Sequence, residues 1–334
     1  MPSVGEFAGL ESRTMTETVR LFPAKQQVGK ELFRRTVPST SKSVYWDVVE
    51  GSRKLAKFSS PGAEAHIQPL EPRKRVNTEV LYIREKKTLD EQTKNFIDKV
   101  GAFDEPYGQT LLTEELDSLN RTVENTMEWL RWEAIVNGQI DIQQTEPAIK
   151  LKVDYSFSST HKVAKTGTGK WSDTTNSKPL SDLLTWRRLV SRDSWLTANR
   201  GFCNSQVMQY MVENSTIQTL IQYTVGDQLA RNGYITTLAG VDITVYDVNY
   251  KNSAGTVVQY IPDTKFILTT TDEFSKEFQG PIDVPASDDS VRTEMGKVSY
   301  SWVTKDPVDT WILVGASTMP AIQIVDAIVA ASIA

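Results

Sequence analysis

Residues 113–142 read TEELDSLNRTVENTMEWLRWEAIVNGQIDI, and the spacing inside them decides the fold. Apolar side chains recur at Leu116, Leu119, Val123, Met127, Leu130 and Ala134, in steps of 3, 4, 4, 3 and 4, which is the rhythm of one helical face. Thr113 offers an N-cap, and Glu114 and Glu115 suit the positive end of the helix dipole. Asn137-Gly138 offers the C-terminal stop. A helix over 113–137 is about 36 Å long at ~1.5 Å per residue. Trp129, Trp132, Ile135 and Val136 add apolar surface on other faces, so the C-terminal half is expected to be buried on more than one side.

C-terminal to this helix the sequence predicts strands at 140–142 and 149–155, then a Ser/Thr/Lys/Gly-rich loop over 156–179. Pro179 opens a helical pattern through Leu183, Trp186 and Leu189, and a second helix is expected over 205–213. Strand patterns follow at 241–245, 266–270, 298–304 and 310–314, with residues 280–296 reading as loop. On the N-terminal side, residues 43–85 read as a two-stranded excursion, with β-rich runs at 44–49 and 76–83. Its tip region holds Pro61-Gly62, Pro69, Pro72 and Arg73-Lys74-Arg75, and is long for a compact domain. Residues 1–35 are polar, with anchors Leu21, Phe22, Val28, Leu32 and Phe33, and read as an arm that needs something to pack on. A short helix is expected over 90–100, broken by Gly101 and Pro106. No internal repeat or low-complexity tract is visible.

Composition excludes several function classes. The 334 residues carry 37 Lys+Arg against 42 Asp+Glu, one cysteine and two histidines. A single Cys203 forms no intrachain disulfide, and one Cys with two His argues against a Cys/His zinc site. The net charge of −5 does not suit a dedicated nucleic-acid binder. Residues 1–20 lack the apolar core of a signal peptide, and the longest apolar stretch, 327–334, is far too short to span a bilayer. The expected setting is a reducing cytoplasm or a particle assembled there. The charge is segregated: residues 1–100 hold 18 basic and 13 acidic side chains, leaving −10 on the remainder. This fits head-to-tail pairing between copies or plain segregation on solvated faces, and composition alone favours the latter.

The chemical motifs fail one by one. Ala164-Lys165-Thr166-Gly167-Thr168-Gly169-Lys170-Trp171 lacks the first Gly and the final Ser/Thr of a phosphate-binding loop and reads as a flexible loop. His66 and His161 sit in polar segments and read as surface residues. Cys203 reads as a small packed thiol. Asp283, Asp288 and Asp289 have no calcium-loop spacing and read as a solvated acidic loop. Trp129, Trp132, Trp186 and Trp302 lie in apolar-periodic segments and read as core rather than as a carbohydrate platform. No enzyme constellation and no cofactor site emerges.

The order of elements carries more. It runs arm, long basic β excursion, one long helix, β segments, a helical middle and a C-terminal β return. With the run Met127-Glu128-Trp129-Leu130-Arg131-Trp132 to Gly138, the stretch Gly169-Lys170-Trp171, and Gly296-Lys297-Val298 through Asp306-Pro307 to Met319-Pro320, the chain resembles the lambda-like major capsid protein family of tailed bacteriophages, over residues 20–334.

The resemblance implies an α+β, HK97-type capsid fold: an N-terminal arm over 1–42, an extended β loop over 43–85, and a peripheral domain over 86–174 with spine helix 113–137. A mostly axial domain over 175–295 and a C-terminal β return over 296–334 complete it. It implies a structural protein, not an enzyme, whose pentamers and hexamers close an icosahedral shell around double-stranded DNA without specific binding. Expected partners are a portal protein, a scaffold and a decoration protein, with assembly in the host cytoplasm and residence in the virion head. Contacts between subunits are expected at Leu21, Phe22, Phe33, Trp46, Lys54, Lys57, Arg73, Lys74 and Arg75. In this light, pairing between copies becomes the better account of the charge split. The alternatives are an encapsulin-type nanocompartment shell and a carbohydrate-binding or carbohydrate-active protein.

Overall fold

A computed structural model describes residues 12–22, 27–48, 55, 58–62, 64, 66, 67, 74–89, 105–144, 149–224, 234–252, 254–285, 290–304, 306 and 309–334. The helix expected over 90–100 lies outside them. The long helix runs Glu105–Val136, so it starts before Thr113, which is an interior residue rather than an N-cap. The reason is the position of Pro106. In the first turn of a helix a backbone N–H has no partner to lose, so proline is tolerated there. The stop is as expected, with Gly138 at φ +65°, a conformation that disfavours any side chain.

The chain divides into two compact units that interleave along the sequence, where consecutive blocks were expected. The first comprises Met1–Val44, Thr78–Trp132 and Lys276–Ala321; the second comprises Tyr45–Asn77, Glu133–Ser275 and Ile322–Ala334.

The first unit is built on a five-stranded sheet centred on Thr310–Ile322. This strand pairs antiparallel with Lys297–Val303 and with Leu81–Thr88. Ser275–Gln279 extends the sheet and pairs parallel with Arg35–Pro38. One face carries Ile312, Val314 and Ala316 into a core with Leu116, Leu119, Val123 and Met127 of the long helix. The expected run 76–83 is split at Val80. Lys74–Glu79 pairs with Ser43–Val48 in the excursion, whereas Leu81–Thr88 belongs to the large sheet. The arm residues Met15 and Val19 are also in this core, on a helix Ser12–Leu21 that packs on the chain's own sheet. Thr16 Oγ1 donates to the Ser299 carbonyl at 2.9 Å and accepts from its N–H at 3.0 Å.

Residues 281–295, read from sequence as loop, form an antiparallel hairpin, Pro281–Pro285 with Val291–Met295. Two prolines bound the first strand, where the missing N–H costs little, while Ile282 and Val284 alternate inward onto Val298.

The second unit holds a six-stranded sheet in the order Lys162–Ala164, Val329–Ser332, Lys265–Thr269, Arg200–Cys203, Val241–Val245, Thr237–Leu238. Helices Pro179–Ser194 and Ser205–Glu213 contribute Leu183, Trp186, Val190, Val207, Met208 and Met211 to its core. The segment read as a flexible loop is anchored. Trp171 is fully buried, its indole N–H donates to Asp182 at 3.0 Å, and Lys165 pairs with the same carboxylate. A large ring gains more from burial than a Gly-rich backbone gains from freedom. His161 also departs from its surface reading. It is 1% exposed, with Nδ1 2.9 Å from the Ile328 carbonyl and Nε2 3.2 Å from Asp193. Both partners lie far from it along the chain, where its polar sequence neighbours give no sign of them.

Candidate assembly surface

The base of the excursion is the pair Ser43–Val48 and Lys74–Glu79. Val44, Trp46 and Val48 alternate inward along the first strand, as a half-buried strand requires. Trp46 is 2% exposed and stacks on Tyr155 with ring centroids 6.0 Å apart. Arg75 Nε donates to Asp47 Oδ1 at 3.0 Å, and its guanidinium lies 5.1 Å from the Tyr45 ring centroid. The hydrogen bond to Asp47 and that carboxylate's charge raise the Arg75 pKa, but the pair is solvated and adds little to stability. Lys74 donates to Ser156.

These contacts revise the expected set. Phe33 and Trp46 are buried in the single chain, and Trp46 stacks on Tyr155 of its own unit. Arg75 and Lys74 already have partners in the chain. Phe22 is half-buried against the helix–sheet core, and Leu21 beside it is 83% exposed. Lys54, Lys57 and Arg73 lie outside the described residues.

What the sequence reading missed is apolar. Between the two strands of the excursion, Leu55, Phe58 and Ile67 are exposed at 94%, 105% and 81%. Exposed large apolar side chains of this kind are candidates for cover by a partner surface. The signal was present as isolated hydrophobes in a polar stretch, which the basic residues around them obscured.

A second feature is a charged cluster inside the first unit. Glu128 on the long helix accepts from the Gly29 N–H at 2.7 Å and the Trp132 indole N–H at 2.8 Å. Its other oxygen faces Arg131 Nη1 at 3.2 Å, and Arg131 Nη2 reaches both oxygens of Glu277 at 3.1 and 3.0 Å. Burial acts against the Arg131 charge, and Glu277 and Glu128 more than offset it, so the guanidinium pKa is raised. The cluster ties the arm segment at Gly29 and the strand Ser275–Gln279 to the long helix. A Cβ on Gly29 would stand 2.8 Å from Glu128 Oε1, so only glycine admits this contact.

A shallow cavity of about 450 Å³ is lined by Arg20, Gln279, Glu294, Met295 and Lys297, with Arg20 Nη2 engaged by Glu294 at 3.0 Å. Among the described residues no group of three metal-ligating side chains comes together, and no helix is long and apolar enough to cross a membrane.

The model of a family described as phage major capsid protein E matches residues 11–333. No curated protein matches the sequence. Among solved structures, a prophage protein of Escherichia coli CFT073 described as a capsid protein aligns at 14% identity and TM-score 0.65, covering 100% of this chain and 99% of its own. A phage-related protein of Bordetella bronchiseptica RB50 aligns at 11% identity and TM-score 0.63, covering 97% of each chain. The capsid of cyanophage P-SCSP1u aligns at 9% identity and TM-score 0.57, covering 94% of this chain and 90% of that one. At such identities the likeness is one of fold, and that fold is the α+β HK97 type.

Proposed function

The chain belongs to the phage major capsid protein E family, and on that premise we propose how its parts build a shell. As a member it is a structural capsid protein, not an enzyme; it self-assembles into an oligomeric shell and is a component of the virion. The family match over residues 11–333 is the observation that carries this reading.

The proposal concerns the parts. Pentamers and hexamers of the chain close an icosahedral shell around double-stranded DNA, which the wall does not bind specifically. The unit with the five-stranded sheet and most of the long helix acts as the peripheral domain, and the unit with the six-stranded sheet as the axial domain. The excursion, residues 45–77, lies across an adjacent copy, which covers Leu55, Phe58 and Ile67. Their exposure in the single chain supports this. Leu21, Lys54, Lys57 and Arg73 contribute at the same boundaries. The basic first hundred residues meet acidic surface of a neighbour, which fits the opposite charges of the two parts. A portal protein occupies one vertex, a scaffold guides assembly, and a decoration protein strengthens the finished head. Assembly takes place in the host cytoplasm. Electron microscopy of the purified chain under assembly conditions tests the reading: closed particles support it, and a discrete monomer under every condition refutes it.

A further inference from the structure

The face of the five-stranded sheet opposite the helices is aromatic and cationic. Trp302 and Trp311 are directly opposed across the strand pair, with ring centroids 6.2 Å apart and planes at 12°. Tyr300 extends the row, 5.6 Å from Trp302. On the neighbouring strand the register puts Lys86 opposite Leu313 and Arg84 opposite Gly315, on the same face. The Lys86 ammonium lies 4.5 Å from the Trp311 ring centroid. The hairpin Pro281–Pro285 with Val291–Met295 covers the end of this face at Val298, Tyr82 and Tyr300. Beyond it Trp302 and Trp311 stay half-buried and Arg84 and Lys86 exposed. Along these three strands the face presents no carboxylate, and neither cation has an ion-pair partner among the described residues. Such a face fits an occupant that is apolar and acidic.

The chain supplies one. Residues 1–11, MPSVGEFAGLE, carry Val4, Phe7 and Leu10 with Glu6 and Glu11, and no basic side chain. Their point of departure is also fixed. The helix Ser12–Leu21 runs antiparallel to the strand Lys297–Val303, with Arg20 Nε on the Lys297 carbonyl at 3.1 Å and Thr16 on Ser299 at 2.9 Å. Four residues of helix match two of strand in length, so Ser12 lies toward the Trp302–Val303 end. That strand ends the sheet's path, so the chain can turn round it to the other face. Five extended residues span about 17 Å, more than the ~10 Å between packed layers, so the length between Ser12 and position 7 is sufficient to cross to the tryptophan face.

We propose that residues 1–11 dock in cis on the Trp302–Trp311 face, with Phe7 on the indoles and Glu6 toward Lys86. The test is oxidative footprinting of Trp302 and Trp311 by mass spectrometry on the dilute, unassembled chain. Three chains are compared: the full chain, one beginning at Ser12, and one with Val4→Ser and Phe7→Ser. Trp132 and Trp171, 1% and 0% exposed, report in the same sample that the fold is intact. The expected result is a several-fold rise in labelling of Trp302 and Trp311 in both altered chains, with Trp132 and Trp171 unlabelled and no dependence on protein concentration. Equal labelling in all three chains overturns the proposal. So does protection that appears only as concentration rises, which assigns the face to a second copy. The readout needs no shell, so its failure is distinct from failure of assembly.

Discussion

Arg131 Nη2 lies 3.0 Å from Glu277 Oε2, and the two side chains are 2% and 5% exposed. They join residues far apart in sequence, one on the long helix and one on the strand Ser275–Gln279. A buried pair of this kind is costly to break from one side, because the partner is left charged and unsolvated.

Arg131→Met should therefore destabilise the unassembled chain by about 3–5 kcal/mol, measured by denaturant unfolding. It strands Glu277 and removes one partner of Glu128. Glu277→Gln should cost less in the Arg131→Met background than in the natural chain, and equal costs would remove the coupling claimed here.

Acid sensitivity should centre on Glu124. Burial pushes its carboxyl upward, but Lys297 more than offsets this, and the pKa falls below the ordinary 4.5. A carboxyl depressed in the folded state stabilises the fold above its unfolded pKa, and that contribution is lost as the pH falls through the folded value. Glu124→Gln should lower stability at neutral pH by about 3 kcal/mol and flatten the decline below pH 4.5. Unfolding midpoints measured from neutral to acid pH check both parts. An unchanged acid slope would show that other carboxylates carry it.

Cys203 gives a clean readout because it is the chain's one thiol. It is fully buried, and burial, aided by Asp247, pushes its pKa up to about 12. At pH 8 an alkylating reagent should label the folded chain far more slowly than the unfolded one, at the rate of transient opening. Rapid labelling of the native chain would contradict the buried position.

The legible parts of the fold were those with a period. The helical face from Leu116 to Ala134 and the stop at Gly138 could be read from spacing alone, as could strands at 140–142 and 149–155, though not their pairing as the hairpin Gln139–Gln144 with Ile149–Asp154. The start of the helix was hidden by Pro106, which signals a break mid-helix but a beginning in a first turn. The 281–295 hairpin was hidden by its prolines and aspartates, although Ile282 and Val284 alternate as strand residues do. His161 and Trp171 were misjudged because their burial comes from elements far along the chain: Ile328 for the histidine, Phe266 for the tryptophan. For the candidate surface the basic residues drew the eye, yet Arg75 and Lys74 bond within the chain and the uncovered side chains are Leu55, Phe58 and Ile67. A sequence shows which residues are apolar; only the fold shows which of them stay bare.

The central claim is that this chain closes shells through its excursion. Cryo-electron microscopy of two purified chains under the same assembly conditions tests it most directly: the natural chain, and one in which residues 49–73 are replaced by a short turn. Closed shells are expected from the first, and from the second a folded subunit, with Cys203 still protected, that forms none. Shells of normal yield and stability from the shortened chain would contradict the role given to the excursion, and a natural chain that stays monomeric throughout would contradict the account itself.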